Sequence, residues 1–364
     1  MTLARQIAPA ISNRFDFSLI EPVKSIHKDV PFYFIGDNSP ELVRIDVIFK
    51  AGSLHQTKHL IASTVNEMLG EGTESYSSAE INAKLDAYGA YVIKGVTSDY
   101  ATVTLFSLVR YFNDVMPIFK EYITASVFPE EELAINLNNR KEALLHNLKK
   151  VDFVCRKEFS KLLYGDHPYG QSASPEDFAL VKREDLLPFY TSFYQRGPDL
   201  ITVSGNTSQA VIRTVESAWS DWPTRQEPLP STPALPSYTP TQKELVFRNA
   251  IQSAIRIGCP VINQHHEDYA ILSLGNIILG GYFGSRLMKN IREEKGYTYG
   301  IGSSIISTLL TGTFVISTET GTEYLPMLRD EVYKEFNQLQ KEPIGEEELR
   351  LVKNYIAGHF LKSM

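Results

Sequence analysis

Two side chains that could bind a ligand through hydrogen bonds, Arg292 and Tyr299, lie seven residues apart in the stretch 280–300. The guanidinium group of arginine is a planar fork of N–H donors, and the phenol of tyrosine carries one O–H donor. Such a pair can donate hydrogen bonds to the oxygen atoms of a bound molecule. The simpler interpretation is a surface arginine and a tyrosine at the edge of the core, on an ordinary connection between a helix and a strand.

The elements that position this pair can be predicted from the same stretch. It begins at Gly280, where the missing side chain allows a close backbone approach. Apolar residues at helical spacing predict a helix over 285–295, and Gly296 is a typical helix end. Alternation after that glycine predicts a strand over 297–308. Arg292 is therefore expected on the helix and Tyr299 on the strand, with one turn between them.

The stretch resembles the C-terminal signature of the insulinase-like (pitrilysin, M16) zinc peptidases. That family carries Ser-Arg-Leu followed by Arg-Glu-x-x-Gly-x-x-Tyr, and this chain matches it at 285–287, Arg292, Gly296 and Tyr299. Peptide hydrolysis passes through a tetrahedral intermediate with negative charge on the former carbonyl oxygen. The resemblance implies that Tyr299 donates a hydrogen bond to that oxygen and that Arg292 holds a substrate backbone carbonyl. Tyr297, two residues from the family position, is the alternative donor.

Active members of the family also carry His-x-x-Glu-His on their first long helix, with a further glutamate on a later helix. The family's Met-Leu and Gly-Thr frame is present at 68–69 and 72–73 and aligns the two sequences. In that alignment Ser63 replaces the first histidine, Asn66 the catalytic glutamate and Glu67 the second histidine. Serine is a poor zinc ligand, and an asparagine side chain has no usable proton affinity for general base catalysis.

The position of the later glutamate falls near His146 and Asn147, while counting alone also admits Glu142. Glu67 together with His146 or Glu142 provides fewer ligands than a stable zinc site uses. The resemblance therefore implies a degenerate zinc motif at Ser63, Asn66, Glu67 and Asn147. We expect no cofactor in this chain, and zinc in a partner subunit.

The remaining histidines do not replace the lost ligands. His55 and His59 have the i, i+4 spacing of a ligand pair, but no glutamate lies between them to act as a base. His265 and His266 are expected at a solvated helix start, and His167 lies in a Gly/Pro-containing loop that is typical of a turn. None of these predicts a metal site.

Composition excludes several classes of function. The 364 residues contain 36 Lys+Arg and 43 Asp+Glu, for a net charge of −7, which gives no electrostatic case for nucleic acid binding. Two cysteines in a chain of this size do not make a disulfide framework. No apolar run of about 18 residues predicts a membrane span. The first 20 residues lack the apolar region of a signal peptide, so we expect a cytoplasmic protein, or a periplasmic one if a signal peptide has been removed.

The length indicates two domains. Six prolines between 223 and 240 predict an extended linker. We therefore predict an N-terminal half at 1–222 with the degenerate zinc motif, a linker at 223–244 and a C-terminal half at 245–364 with the Arg/Tyr motif. Residues 1–40, which contain four prolines, are expected to form an irregular lead-in.

The C-terminal half repeats the order of elements of the first. A glutamate-rich helix start at 129–133 has its counterpart at 345–349, and the Gly-Ala-Tyr at 89–91 parallels the Gly-Tyr-Thr at 296–298. The predicted fold is α+β, with two homologous α/β-sandwich halves of the M16 (LuxS/metallohydrolase-like) type. The first half continues through 151–222 after its glutamate-rich helix, whereas the second ends at Met364. The resemblance thus implies a truncated second half.

Some two-domain chains of this family work as heterodimers, in which one subunit carries the zinc motif and the other the Arg/Tyr pair. The resemblance implies that this chain is the non-catalytic Arg/Tyr subunit, inactive alone and active as a peptidase only with a homologous partner that has an intact His-x-x-Glu-His. Peptides are the expected substrate. The alternatives are a structural or assembly protein and a free-standing peptide-binding homologue, neither with a peptidase role.

Overall fold

A computed structural model describes residues 20–222, 230–248 and 250–363. The chain forms two compact units. The first contains Ile20–Arg248 together with Thr308–Leu310, and the described part of the second consists of 250–307 and 311–363. Of the predicted linker, 223–229 lie outside the described residues, and 230–247 form neither helix nor strand.

The first unit is built on a six-stranded sheet in the order β1-β2-β6-β3-β5-β4. The β2/β6 pair is parallel, and the other neighbours are antiparallel. Alternate residues on the central strands are buried, so one face of the sheet carries the core. The strands are β1 (Val23–His27), β2 (Val30–Asp37), β3 (Leu42–Phe49), β4 (Tyr91–Val96), β5 (Ala101–Leu108) and β6 (Leu200–Asn206).

Helices contribute to the same core as the buried face of this sheet. Ser77 caps the second helix through a reciprocal bond with Glu80, and the Ser-x-x-Glu spacing of the two residues is that of a capping box. The helices are α1 (Ile61–Met68), α2 (Ser78–Ala87), α3 (Phe112–Thr124), α4 (Glu130–Asn147), α5 (Val151–Tyr164), α6 (Arg183–Tyr190) and α7 (Gln209–Trp219).

The irregular lead-in predicted for residues 1–40 is wrong in its described part. Residues 23–37 form the β1/β2 hairpin, whose turn residues Lys28 and Asp29 both have positive φ angles. That geometry suits the right-handed twist of the paired strands. Pro31 lies near the start of β2, where the missing N–H disturbs the ladder least. Phe32 and Phe34 on β2 are buried, so this strand belongs to the core.

The second unit repeats the central part of the first. Its three-stranded sheet has the order β7-β9-β8, which matches β3-β5-β4 both in chain order and in antiparallel pairing. The elements are β7 (Ser253–Val261), α8 (Tyr269–Asn276), β8 (Thr298–Ser307), β9 (Gly312–Thr320), α9 (Leu325–Lys341) and α10 (Glu346–Ser363), with π-helical segments at Ile277–Gly281 and Met288–Glu294. The α+β fold with two homologous halves is confirmed.

Membrane insertion through a helix is not supported by these elements. Within the described ranges, none of the helices combines the length and the apolar character that a membrane crossing requires.

Candidate functional site

Arg292 lies on the π-helical segment Met288–Glu294 between β8 and the glycine-rich loop. The buried side chains of Met288 and Ile291 fix one side of this segment in the core of the second unit. Gly296 follows with a φ of 66°, a left-handed conformation that glycine adopts without strain, and ends the segment as predicted. π-Helical turns frequently occur at functional sites. Arg292 on the same segment is half-buried.

Tyr299 lies in an irregularity of β8. Thr298 pairs with Thr320 and Ile301 with Thr318, so two residues of β8 stand opposite one residue of β9. This is a β-bulge, which bends a strand and redirects its side chains. The Thr298 hydroxyl lies 2.6 Å from the Glu319 carbonyl and 2.8 Å from the Thr318 hydroxyl, which holds the bulge in place. The Tyr299 side chain consequently points outward and is 91% exposed.

The structure brings Arg292 and Tyr299 close together. The guanidinium carbon of Arg292 lies 5.7 Å from the centre of the Tyr299 ring and 4.7 Å from that of Phe283. In the described ranges no carboxylate forms a salt bridge with Arg292. Tyr297, the alternative donor, is half-buried and stacks on Tyr324 at 5.4 Å. The donors of Arg292 and the phenol of Tyr299 are therefore open to a ligand, and the Tyr297 ring is engaged in packing.

Arg286 of the Ser-Arg-Leu sequence has a structural contact. Its Nε and Nη2 donate to the two carboxylate oxygens of Glu348 on α10 at 2.8 and 2.7 Å. This bidentate geometry is the strongest form of an arginine–carboxylate pair. It holds the pKa of Glu348 below its usual value and raises the pKa of Arg286. Arg286 thus fastens the segment that carries Arg292 to α10.

The Arg286–Glu348 pair should make stability depend on acid pH. Because the pKa of Glu348 is lowered in the folded state, its contribution is complete above the unfolded value of 4.5 and is lost as the pH falls through the lower folded value. Urea unfolding of the wild type and Glu348→Gln between pH 3 and 7 should give a difference of about 1 kcal/mol at pH 7 that shrinks toward pH 3. A difference that stays constant over this range would contradict the pairing.

The degenerate zinc motif lies on α1, in the first unit. Asn66 is 1% exposed, and its Nδ2 donates to the Tyr194 hydroxyl at 3.1 Å and to the Thr102 carbonyl at 3.4 Å. Burial raises the pKa of Tyr194 above its usual value, so that phenol stays protonated at neutral pH. Asn66 therefore serves as a buried hydrogen-bonding group, and its chemistry is not that of a general base.

A guanidinium group lies against this motif. Arg140 on α4 donates to the Ser63 hydroxyl at 2.6 Å and to the Thr64 hydroxyl at 2.8 Å, and its Nε lies 3.8 Å from Glu67 Oε2. Asn136, one turn earlier on α4, donates to the same glutamate oxygen at 3.3 Å. Burial lowers the pKa of Arg140 and Glu67 partly offsets this, but an arginine remains charged in proteins.

The residues predicted for the position of the later glutamate make other contacts or face solvent. Asn147 is the last residue of α4, and its Oδ1 accepts a hydrogen bond from Lys150 at 2.9 Å. Glu142 and His146 are exposed. The contact with Ser63 and Glu67 comes instead from Arg140 and Asn136, which we did not predict. A signal was present in the sequence, because Arg140 continues the helical apolar stripe of Leu133 and Leu137 and is followed in it by Leu144.

Zinc does not fit this set of donors. Hydroxyl groups, an amide and one carboxylate surround a permanent cation, which repels a second positive charge. Within 20–222, 230–248 and 250–363, no group of three His, Cys, Asp or Glu side chains is arranged to hold a metal ion. The Nδ1 of His59 lies 3.0 Å from Asp177, and the His55 ring stacks on Phe193 at 5.3 Å. The two histidines with ligand-like spacing thus make separate contacts.

Metal analysis gives a direct test of this arrangement. We expect the purified chain to hold less than about 0.1 equivalents of zinc after equilibration with micromolar zinc and desalting, since structural zinc sites need about four good ligands. The control is the Glu67→Gln variant, which should give the same value. A full equivalent of zinc that disappears in Glu67→Gln would contradict the assignment.

Comparison with known proteins agrees with this fold. Residues 181–356 match the family described as "Peptidase M16 inactive domain". The "Uncharacterized zinc protease YmxG" of Bacillus subtilis is 25% identical over 334 residues, which cover 90% of this chain and 81% of that protein. The "Non-peptidase homolog YmxG" of Helicobacter pylori is 20% identical over 316 residues, which cover 84% of this chain and 72% of that protein.

Solved structures show the same architecture. The peptidase M16 inactive domain from Pseudomonas fluorescens superimposes with a TM-score of 0.84 at 24% identity, covering 93% of this chain and 84% of that one. A protease from Helicobacter pylori gives a TM-score of 0.83 at 16% identity, covering 94% and 86%. At these identities the structural likeness establishes the fold. The chain is similar to the peptidase M16 family, in sequence to its inactive domain over residues 181–356 and in fold over most of its length.

Proposed function

We propose that this chain is the Arg/Tyr subunit of a heterodimeric M16 metallopeptidase. It pairs with a homologous subunit that carries an intact His-x-x-Glu-His and donates Arg292 and Tyr299 to that subunit's active site. The observation that carries the proposal is the pair of the half-buried Arg292 and the exposed Tyr299, in which the guanidinium carbon lies 5.7 Å from the ring centre and no carboxylate among the described residues forms a salt bridge with Arg292. The Arg140 cation at the degenerate zinc motif supports the assignment of the metal to the partner.

The two side chains differ in when they act on the substrate. The phenol of Tyr299 donates to an oxygen that is negatively charged only in the tetrahedral intermediate, so its contribution is largest in the transition state. The guanidinium of Arg292 donates to a backbone carbonyl that is present in the bound peptide from the start. The partner's zinc supplies the activation of water, and no residue at the degenerate motif of this chain takes part in that step.

A second candidate function is a structural or peptide-binding homologue with no peptidase role. It is favoured by the relative from Helicobacter pylori that is described as a non-peptidase homolog. The two candidates differ in what they require of the site, since a scaffold protein has no need of two exposed donors. The Arg292–Tyr299 pair therefore favours the first candidate.

Assembly is the step that tests this proposal without an activity assay. The chain, tagged and co-expressed with a homologue from the same genome that contains His-x-x-Glu-His, should elute as a one-to-one complex in size-exclusion chromatography with light scattering. Arg292→Ala should assemble equally well, because Arg292 is assigned to the substrate. Separate elution of the two chains at micromolar concentration would reject the heterodimer.

A further inference from the structure

Phe283 makes a contact that the family motif does not include. Its ring is 63% exposed, and its centre lies 4.7 Å from the guanidinium carbon of Arg292. A cation within about 6 Å of an aromatic ring centre is attracted by the electron-rich face of the ring. The Tyr299 ring lies 5.7 Å from the same carbon. Two exposed aromatic rings therefore lie within 6 Å of one guanidinium carbon.

The loop that carries Phe283 is fastened on both sides. At Gly280 a Cβ atom would stand 2.7 Å from the backbone nitrogen of Ser303 on β8, so only glycine permits this close approach. Tyr282 packs against Tyr355 on α10 with ring centres 5.0 Å apart. At Gly284 a Cβ atom would come within 2.8 Å of the Tyr282 ring. The position of Phe283 is thus set by packed neighbours, although its own ring is largely in solvent.

Support from an aromatic ring can leave the donors of Arg292 usable. The N–H bonds of a guanidinium group lie in its plane and point away from an aromatic ring that lies over its face. A salt bridge would hold Arg292 equally well, but it would also occupy those donors. Within the described parts of the second unit, Arg292 has no such partner. An aromatic ring is therefore the kind of support that orients the group and keeps its hydrogen-bonding capacity free.

We propose that Phe283 is a positioning residue, which holds the guanidinium plane of Arg292 ready for a peptide carbonyl. The expected effect on KM rests on the proposed function, whereas the orientation of Arg292 can be measured in the isolated chain. Without the ring, Arg292 samples several rotamers and the peptide has to bind the oriented fraction. The loss corresponds to a cation–π contact at an exposed site, which is about two- to fivefold in KM. Turnover of the bound substrate should change little.

The experiment compares Phe283→Leu, which keeps an apolar side chain without a ring, with Phe283→Trp, which restores an aromatic face. The first readout is the ¹⁵N order parameter of the Arg292 Nε–H in the isolated chain, assigned through the signal missing from Arg292→Lys. The second is KM and kcat of the assembled pair with a quenched-fluorescence peptide. Phe360→Leu, at another exposed phenylalanine of the second unit, is the matched control.

We expect the order parameter to fall and KM to rise about two- to fivefold in Phe283→Leu, with both values restored in Phe283→Trp and unchanged in Phe360→Leu. An order parameter in Phe283→Leu equal to that of the wild type would overturn the positioning role, whatever the kinetics. A lower order parameter with unchanged KM and kcat would uphold the positioning and reject the proposed contact between Arg292 and the substrate.

Discussion

Replacing Tyr299 by phenylalanine should lower kcat of the assembled pair roughly 10²–10³-fold, which is the usual cost of removing one donor to a tetrahedral oxyanion. KM should stay nearly constant, because the hydrogen bond strengthens only as charge develops on the oxygen. Folding should not change either, since the Tyr299 side chain is 91% exposed and no protein group in the described ranges bonds its hydroxyl. The measurement is steady-state kinetics with a quenched-fluorescence peptide.

Two further variants separate the role of Tyr299 from its neighbours. Tyr297→Phe removes the alternative phenol, whose ring stacks on Tyr324, and should leave kcat and KM at wild-type values. Arg292→Ala should raise KM as well as lower kcat, because its contact exists in the bound peptide and in the transition state. Wild-type kinetics from both Tyr299→Phe and Arg292→Ala would assign the pair to the scaffold and favour the structural candidate. A loss confined to Tyr297→Phe would move the donor role to that residue.

Replacing Arg140 by methionine should lower the free energy of unfolding by about 1–3 kcal/mol. Methionine keeps much of the length of the side chain and removes the donors that bond Ser63 and Thr64. Thr64 is fully buried, so its hydroxyl loses a partner without access to water. Urea denaturation monitored by far-UV circular dichroism measures the change. A loss of this size would show that the hydrogen bonds from Arg140 on α4 to α1 stabilise the fold.

The control for Arg140 is Arg213→Met, at an exposed position of α7. Surface arginine substitutions usually change stability by less than about 0.5 kcal/mol, so the two variants should differ clearly. Equal changes in the free energy of unfolding would mean that the loss in Arg140→Met comes from removing a charge and not from the hydrogen bonds to α1. Arg140→Lys should recover only part of the loss, because lysine cannot reproduce the two-pronged contact.

Local signals predicted much of the fold. The helix end at Gly296 and the strand that follows it depend on neighbours in sequence, and the structure has both. The β1/β2 hairpin was missed because prolines obscured the alternation that buries Phe32 and Phe34. No helix was predicted between the end of α4 and the loop at 165–170, where the structure has α5.

The two parts of the candidate site also differ in how far the sequence predicts them. Arg292 and Tyr299 are joined by a single turn, so the elements that carry them could be predicted from the sequence, and the structure places their side chains close together. The partner of the degenerate zinc motif lies on another helix, where its identity depends on how α1 and α4 pack. The sequence placed the later position near His146 and Asn147, with Glu142 as the alternative, whereas packing brings Arg140 to Ser63. The positioning role proposed for Phe283 could not be predicted from the sequence, because it depends on the path of a loop and not on a residue pattern.

The most direct test of the Arg/Tyr subunit is a peptidase assay of this chain alone, of the homologue with His-x-x-Glu-His alone, and of the two mixed at equal concentration. We predict no turnover from this chain and at least about a 100-fold higher kcat from the mixture than from the homologue alone, which is the contribution of an oxyanion donor supplied in trans. The mixture with Tyr299→Phe should fall back to the level of the homologue alone. A homologue that is fully active by itself, with no gain on mixing, would contradict the account.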